Sequence, residues 1–335
     1  MLNKLHNTSI FSEKNILITG GTGTIGYELV EFFLENTTCK KICVFSRDEF
    51  KQSVMREYFS QRKRKEVIRY LIGDIRDVNR LSFATKDINI VFHTAALKQV
   101  DSIEYNPFEA IKTNILGTQN LIDCCIENKV QMLVGISTDK SVAPVNLYGG
   151  TKLCMEKLII LSNNFSSKLK TCVLRYGNVL GSRGSVIPIF LNQKNQGSFN
   201  VTCNDMTRFT LTKKQACNFI INCASVCEGG EIFVPKLEKY SLRQLCSVIN
   251  NTNNINIIGK RPGEKMHEEM ICRSESHKSW EGDDIFIIKD YGNPSPELQA
   301  FLKLIKTTDE FSYNSEHANK ISDDVLCEQV NSFLV

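Results

Sequence analysis

Asn15-Ile-Leu-Ile-Thr-Gly20-Gly21-Thr22-Gly23-Thr24-Ile25-Gly26 decides the fold class. Its apolar opening predicts a buried strand, and residues from about Gly23 to Glu35 predict a helix directly after the turn. A pyrophosphate needs backbone N–H groups gathered in a tight turn, no Cβ in the way, and the positive end of a helix. Gly20, Gly23 and Gly26 hold the T-G-x-x-G-x-x-G spacing, with Thr22, Thr24 and Ile25 filling the loop. With a strand before and a helix after, the segment points to nucleotide binding rather than to a structural glycine turn.

Working outward, short apolar runs at residues 41–46, 68–73, 88–93, 131–137 and 170–176 predict five further strands. Helices are expected at Pro107 to Lys129 and Leu147 to Asn163. Continuous apolar strands alternating with helices imply a parallel sheet covered on both faces. The fold class is therefore α/β, a Rossmann-type doubly wound parallel sheet. After Gly177 the strands shorten and Gly and Asn become frequent, which predicts a smaller mixed α/β substrate-binding lobe. The expected division is a nucleotide-binding domain at 1–177, with 206–228 returning to it, and a substrate lobe at 178–205 and 229–335. The tail from Thr307 is expected to end in a helix opened by Ser322-Asp-Asp.

The 335 residues are 42% apolar and 23% charged, which excludes disordered and collagen-like chains. A net charge of +4 gives no electrostatic footprint for nucleic acid, and the basic run Arg62-Lys-Arg-Lys65 reads as a solvated segment. The 13 cysteines include no C-x-x-C pair, so neither a zinc site nor a disulfide scaffold is expected. They read as packing thiols in a reducing compartment, with no metal. Met1 to Lys14 lacks the apolar core of a signal peptide, and no apolar run approaches the ~20 residues of a membrane span. A cytoplasmic protein without membrane or nucleic-acid partners is expected.

The second strand ends Phe45-Ser46-Arg47. A hydroxyl and a guanidinium suit a ribose 2′-phosphate, so NADP is favoured, while Asp48 leaves NAD open. Ser46 with Glu49 also has the spacing of a capping box. Asp74 in Gly73-Asp-Ile-Arg-Asp77 suits either an adenine amino group or a helix cap. Ala95 and Ala96 are small enough for a dinucleotide to lie close, and Lys98 can line the same site; His93 reads as core. Tyr148-Gly-Gly-Thr-Lys152 places Tyr148 and Lys152 on one helix face. Lys152 would favour the phenolate of Tyr148, whose ordinary pKa is ~10, and hold a nicotinamide ribose. Upstream, Ser137-Thr138-Asp139-Lys140 closes the fifth strand.

Together with Ser46-Arg-Asp-Glu49, Ala95-Ala-Leu-Lys-Gln-Val-Asp101, Tyr105-Asn-Pro107, Lys112-Thr-Asn114, Asn146-Leu-Tyr148 and Arg175-Tyr-Gly-Asn-Val179, these segments resemble the extended short-chain dehydrogenase/reductases. Gly181-Ser-Arg-Gly-Ser-Val186, Met206-Thr-Arg-Phe209 and Arg261-Pro-Gly-Glu-Lys265 narrow the resemblance to the 5-inverting UDP-N-acetylglucosamine 4,6-dehydratases of the polysaccharide-biosynthesis branch that starts pseudaminic acid. It covers about residues 13 to 290. It implies that Tyr148 takes the proton of the 4-hydroxyl, Lys140 the proton at carbon 5 once its own pKa is lowered, and that Asp139, protonated, releases the 6-hydroxyl as water. Thr138 would bond the keto oxygen. Asn178, Arg183, Arg208, Arg261, Glu264 and Lys98 would contact UDP-N-acetylglucosamine, although by sequence each arginine reads equally as a surface residue. A homo-oligomer, dimer or hexamer, is the family habit. Ser141 and Gly150 stand where alanine is more usual, changes too small to affect the chemistry. A retaining dehydratase and a 4-epimerase are the alternatives, the latter disfavoured because it has no water to expel. A non-catalytic nucleotide sensor would be expected to lose Tyr148 or Lys152.

Overall fold

Six strands form where the apolar runs predict them: β1 (Asn15–Thr19), β2 (Lys41–Ser46), β3 (Ile68–Ile72), β4 (Ile90–His93), β5 (Met132–Ile136) and β6 (Lys170–Leu174). They pair in parallel in the order 3-2-1-4-5-6. All but β3, which lies at the sheet edge, are almost entirely buried, as strands covered on both faces must be. The computed structural model describes residue 2 and residues 7–166, 168–182, 186–194, 198–250 and 254–332.

The crossovers are α1 (Thr24–Asn36), α2 (Glu49–Tyr58), α3 (Val78–Thr85), a broken helical run, and α7 (Leu147–Ser162). The broken run consists of α4 (Val100–Tyr105), α5 (Pro107–Ala110), a π-helical stretch (Ile111–Leu116) and α6 (Gly117–Glu127). It begins earlier than the single helix expected from Pro107. Pro107 has no N–H to donate and disfavours helical geometry at Asn106, so the chain breaks there and restarts.

Beyond β6 come β7 (Asn178–Val179), α8 (Val186–Lys194), β8 (Phe199–Val201), β9 (Thr207–Leu211), α9 (Lys213–Val226), β10 (Glu231–Pro235), β11 (Lys239–Ser241), α10 (Leu242–Asn250), β12 (Ile255–Ile257), β13 (Glu269–Ile271), β14 (Ser279–Glu281), β15 (Ile285–Lys289) and β16 (Ile305–Lys306). β10 adds to β6 in parallel, and β15, β14 and β16 extend the same sheet antiparallel to ten strands. The segment from residue 229, expected wholly in the substrate lobe, is therefore shared with the main sheet. Its apolar strands look like any buried strand locally; which sheet they join is set by pairing with β6, far back in the chain. Within 206–228, α9 packs on α1, whereas β9 joins β7 and β11 in a separate sheet. Phe190, Phe199, Tyr240, Leu245 and Leu326 form a second core beneath it. The final helix, Asp323–Asn331, is capped by Ser322 as its sequence predicts.

The 13 cysteines are free and nine are buried. The basic run is tethered rather than merely solvated: Arg62 pairs with Glu31, and Arg64 donates to the carbonyls of Leu34 (3.3 Å) and Cys39 (2.6 Å) at the end of α1. No described helix is long and apolar enough to cross a membrane.

Arg175, directly after β6, has no exposure and bridges Glu156 of α7 to Glu275 at 2.6 and 2.9 Å. Removing one partner leaves buried carboxylates uncompensated. Arg175→Met is expected to cost about 3–5 kcal/mol in urea unfolding, whereas Arg62→Met at the surface should leave the midpoint almost unmoved.

Candidate active site

A cavity of about 700 Å³ opens past the carboxyl ends of β1 and β4, where the strand order reverses. This is the usual ligand crevice of an open α/β sheet. One end is lined by Gly20, Thr22, Gly23, Thr24, Ile25, Ser46, Arg47, Ala95, Ala96 and Lys98. Gly26 stands behind this wall. A Cβ there would lie 2.0 Å from the Gly21 carbonyl oxygen, so its role is to seat α1 against the turn.

Two expectations at this end change. Asp74 does not line the cavity and caps no helix; α3 is capped by Asp77, which accepts from the Arg80 N–H at 2.9 Å. The Asp74 carboxylate accepts from the Arg76 guanidinium at 2.7 and 3.0 Å and lies 3.5 Å from Arg47. Burial raises its pKa, and the hydrogen bonds and charges of Arg76 and Arg47 outweigh that, holding it below the usual carboxylate range. Ser46 likewise forms no capping box. Asp48 caps α2 through the Lys51 N–H at 2.9 Å, and Ser46 Oγ accepts from Gln52 instead.

At the other end, β5 delivers Ser137 and Thr138 to a 3₁₀ turn, Asp139–Ser141, whose N-cap is Thr138. Helix α7 starts close above it: a Cβ on Gly149 would lie 2.0 Å from the Lys140 carbonyl oxygen. Only glycine lets the Tyr148 helix touch the turn. Gly150, by contrast, has open space where alanine would fit. Thr138, Lys140, Tyr148 and Lys152 reach the cavity wall. Asp139 does not. Its side chain has no exposure, and Oδ1 accepts from the Thr138 hydroxyl (2.9 Å) and Lys140 Nζ (3.0 Å), while Oδ2 is buried without a partner among the described residues. Burial raises its pKa, Lys140 opposes and Glu268 reinforces, and the net direction is up.

Lys140 departs from expectation. Burial pulls its pKa down, but the Asp139 and Glu268 carboxylates outweigh burial and raise it. Its Nζ donates to Asp139, to Glu268 at 3.1 Å and to Asn178 Oδ1 at 3.2 Å, so it rests as an ammonium. Burial pushes Tyr148 up to about 12, with Lys140 as the cation acting against it. Lys152 was expected to serve that purpose. Instead its Nζ donates to the Ile136 carbonyl at 2.5 Å, and burial lowers it to about 7.

The expected substrate residues Asn178, Arg208, Arg261 and Glu264 all line the cavity. Arg208 is 6% exposed and donates to the Thr207 carbonyl at 2.8 Å; Glu264 lies 3.5 Å from it and accepts from the Arg261 N–H at 3.2 Å. Arg183 lies outside the described residues. His93 is core, set between Thr19 and Thr118 hydroxyls, and burial lowers it to about 3. No described group of three or more His, Cys, Asp or Glu side chains is placed to hold a metal. Two site residues escaped sequence reasoning. Glu268 lies in the wall against Lys140, and Glu156 lies beneath the turn, accepting from Ser137 (2.5 Å) and Ser141 (2.7 Å). Glu268 follows the Arg-Pro-Gly-Glu segment by four positions, the one signal that could have pointed to it.

Residues 16–290 match the family described as polysaccharide biosynthesis protein. A UDP-N-acetylglucosamine 4,6-dehydratase (inverting) from Campylobacter jejuni is 42% identical over 94% of this chain and 92% of its own length. A UDP-glucose 4-epimerase from Rickettsia bellii is 38% identical over 92% of this chain and 94% of its own. The crystal structure of Pen from Bacillus thuringiensis superposes with a TM-score of 0.88 at 40% identity, covering 97% of this chain and 99% of that one.

Lys152 gives a signed stability test. Its folded pKa of about 7 lies below the ordinary lysine value of 10.5, so between those values the unfolded chain binds the extra proton. The resulting cost is full below pH 7 and fades as pH rises toward 10.5. Lys152→Met should therefore raise the melting temperature at pH 6 by roughly 2–4 °C or more, and by much less at pH 10, in calorimetry across pH.

Proposed function

The chain belongs to the polysaccharide biosynthesis protein family, and from that premise we propose that it is a UDP-N-acetylglucosamine 4,6-dehydratase inverting carbon 5. The product is a UDP-2-acetamido-2,6-dideoxy-4-hexulose. The observation that carries this reading is the Asp139–Lys140 pair, 3.0 Å apart and set on one turn beside Tyr148. A 4-epimerase, the name borne by the Rickettsia relative, loses no water and has no use for such a pair.

The residues suit a dinucleotide. The turn after β1 and the small residues after β4 leave backbone room for a pyrophosphate at the N-terminus of α1. NADP is preferred over NAD because Arg47 lines the cavity past β2 as a permanent cation, while Asp48, which lines it too, has its carboxylate occupied by the start of α2 and by Lys51 at 2.8 Å. A nicotinamide held over Tyr148 and Lys152 would supply the acceptor for the carbon 4 hydride and the donor for carbon 6. Tyr148, acting as the phenolate that the Lys140 charge favours, takes the 4-hydroxyl proton as carbon 4 is oxidised, and the new ketone acidifies carbon 5. Lys140 takes the carbon 5 proton. Asp139, protonated, gives a proton to the departing 6-hydroxyl, its Oδ1 held in place by the Thr138 hydroxyl that donates to it. Lys152 orients the nicotinamide ribose. Arg208 and Arg261 meet the diphosphate with Asn178, Arg183 and Lys98, and Glu264 meets a ribose hydroxyl.

A homo-oligomer in the cytoplasm completes the reading. Tyr105 (88% exposed), Phe108 and Leu116 give the α4–α6 run an apolar face that a second copy would cover.

Incubating the protein with UDP-N-acetylglucosamine and NADP should yield a product lighter by one water in mass spectrometry, and a product of unchanged mass overturns the reading. Tyr148→Phe should lower kcat by about 10²–10⁴. Arg47→Ala should cut the preference for NADP over NAD by about tenfold or more, measured as the ratio of dissociation constants.

A further inference from the structure

Glu268, at the entry to β13, is a buried carboxylate that the mechanism above leaves without work. It is 2% exposed, with Oε1 3.1 Å from Lys140 Nζ and 3.7 Å from Arg208 Nε. Among the described residues its Oε2, also buried, has no hydrogen-bond partner. Beside it lies a cavity of about 10 Å³, bounded by Lys140, Asn146, Gly263, Lys265 and Glu268, roughly the size of one water.

A lysine that takes a proton from carbon must first be an amine. Lys140 rests as an ammonium, and three side chains accept its hydrogen bonds. The Asn178 amide oxygen is no base. Asp139 has a raised pKa and must carry its own proton to serve as the acid. Glu268 remains. Burial raises its pKa, but the Lys140 and Arg208 charges outweigh burial and hold it below the usual range, so it rests as a carboxylate, an acceptor already in place 3.1 Å from Lys140 Nζ; the same charges favour the ion pair at rest, so the transfer runs uphill.

We propose that Glu268 is a positioning residue of this reaction, accepting the proton that Lys140 sheds in order to act as the base at carbon 5. The proposal rests on the dehydratase reading. The Lys140 N–H bond breaks and a Glu268 O–H bond forms, turning the ion pair into a neutral acid and a free amine. The nitrogen lone pair then takes the carbon 5 proton while the C–H electrons pass into the enolate of the 4-ketone. One proton returns to carbon 5 from the pair after the 6-hydroxyl has left, restoring ammonium and carboxylate. The charged and titratable groups facing the pair are Asp139 on the turn, Tyr148 of α7, Arg208 of β9, Tyr240 of β11, and Glu264 and Lys265 before β13.

The test is the pH dependence of kcat and KM for the full-length protein and its Glu268→Gln and Glu268→Asp variants on UDP-N-acetylglucosamine. Glutamine keeps the shape and removes the acceptor. Its kcat should fall about 100-fold near neutrality with KM changed less than about threefold. Its remaining activity should climb with pH, because Lys140 must now release its proton to solvent, while the unaltered protein stays level over the same range. Aspartate should restore most of kcat and the level profile. A glutamine variant with unchanged kcat, or one slowed at every pH by the same factor, overturns the proposal, as does an aspartate variant as slow as glutamine. If the unaltered protein releases no water, the dehydratase reading itself fails, a result visible before any variant is made.

Discussion

The buried pair of Glu156 and Arg175 is the constraint on which the site depends. Neither side chain is exposed. Glu156 Oε2 meets Arg175 Nη2 at 2.6 Å, and Oε1 accepts from Arg175 Nε as well as from Ser137 and Ser141. Ser137 and Ser141 flank the Thr138-Asp139-Lys140 turn, so one carboxylate on α7 grips the turn from both ends. Arg175 then reaches Glu275 and the Met270 carbonyl, fastening the segment after β13 to the same centre. A guanidinium is needed because a planar fork can satisfy two carboxylates bidentately and still give a backbone bond. Ser141, at a position where the resemblance makes alanine more usual, adds a donor to this scaffold.

Above the scaffold, four ionisable groups are driven apart by their surroundings. Lys140 is raised by two carboxylates, while Lys152 is lowered by burial. Asp139, sealed behind Thr138 and with one oxygen unpartnered, is raised; Glu268, touching two cations, is lowered. Acid and base roles follow from such divergence between like groups. The turn thus holds one carboxyl raised and one carboxylate lowered against the same ammonium, 3.0 and 3.1 Å from Lys140 Nζ.

The glycine turn, six parallel strands and the Tyr148–Lys152 spacing were legible because each is written in contiguous residues: an apolar run, a glycine spacing, a helical period. Asp74, Lys140 and Lys152 were not, because their states are set by partners. Arg76 and Arg47 claim Asp74, Glu268 reverses the expected shift of Lys140, and the Ile136 carbonyl holds Lys152. Glu268 itself stands in an unremarkable run of polar residues, and only the fold carries it back to the turn after β5. The extension of the sheet by β10, β15, β14 and β16 was hidden for the same reason: pairing partners are not encoded in local pattern.

The most direct measurement is the configuration at carbon 5 of the product formed from UDP-N-acetylglucosamine, read by nuclear Overhauser effects in the sugar ring. Inversion moves hydrogen 5 off the axial position it shares with hydrogen 3, so the predicted spectrum has a 6-methyl signal and no strong contact between those two hydrogens. A strong contact between them, meaning retention, or a sugar that keeps its 6-hydroxyl and differs only at carbon 4, would contradict it.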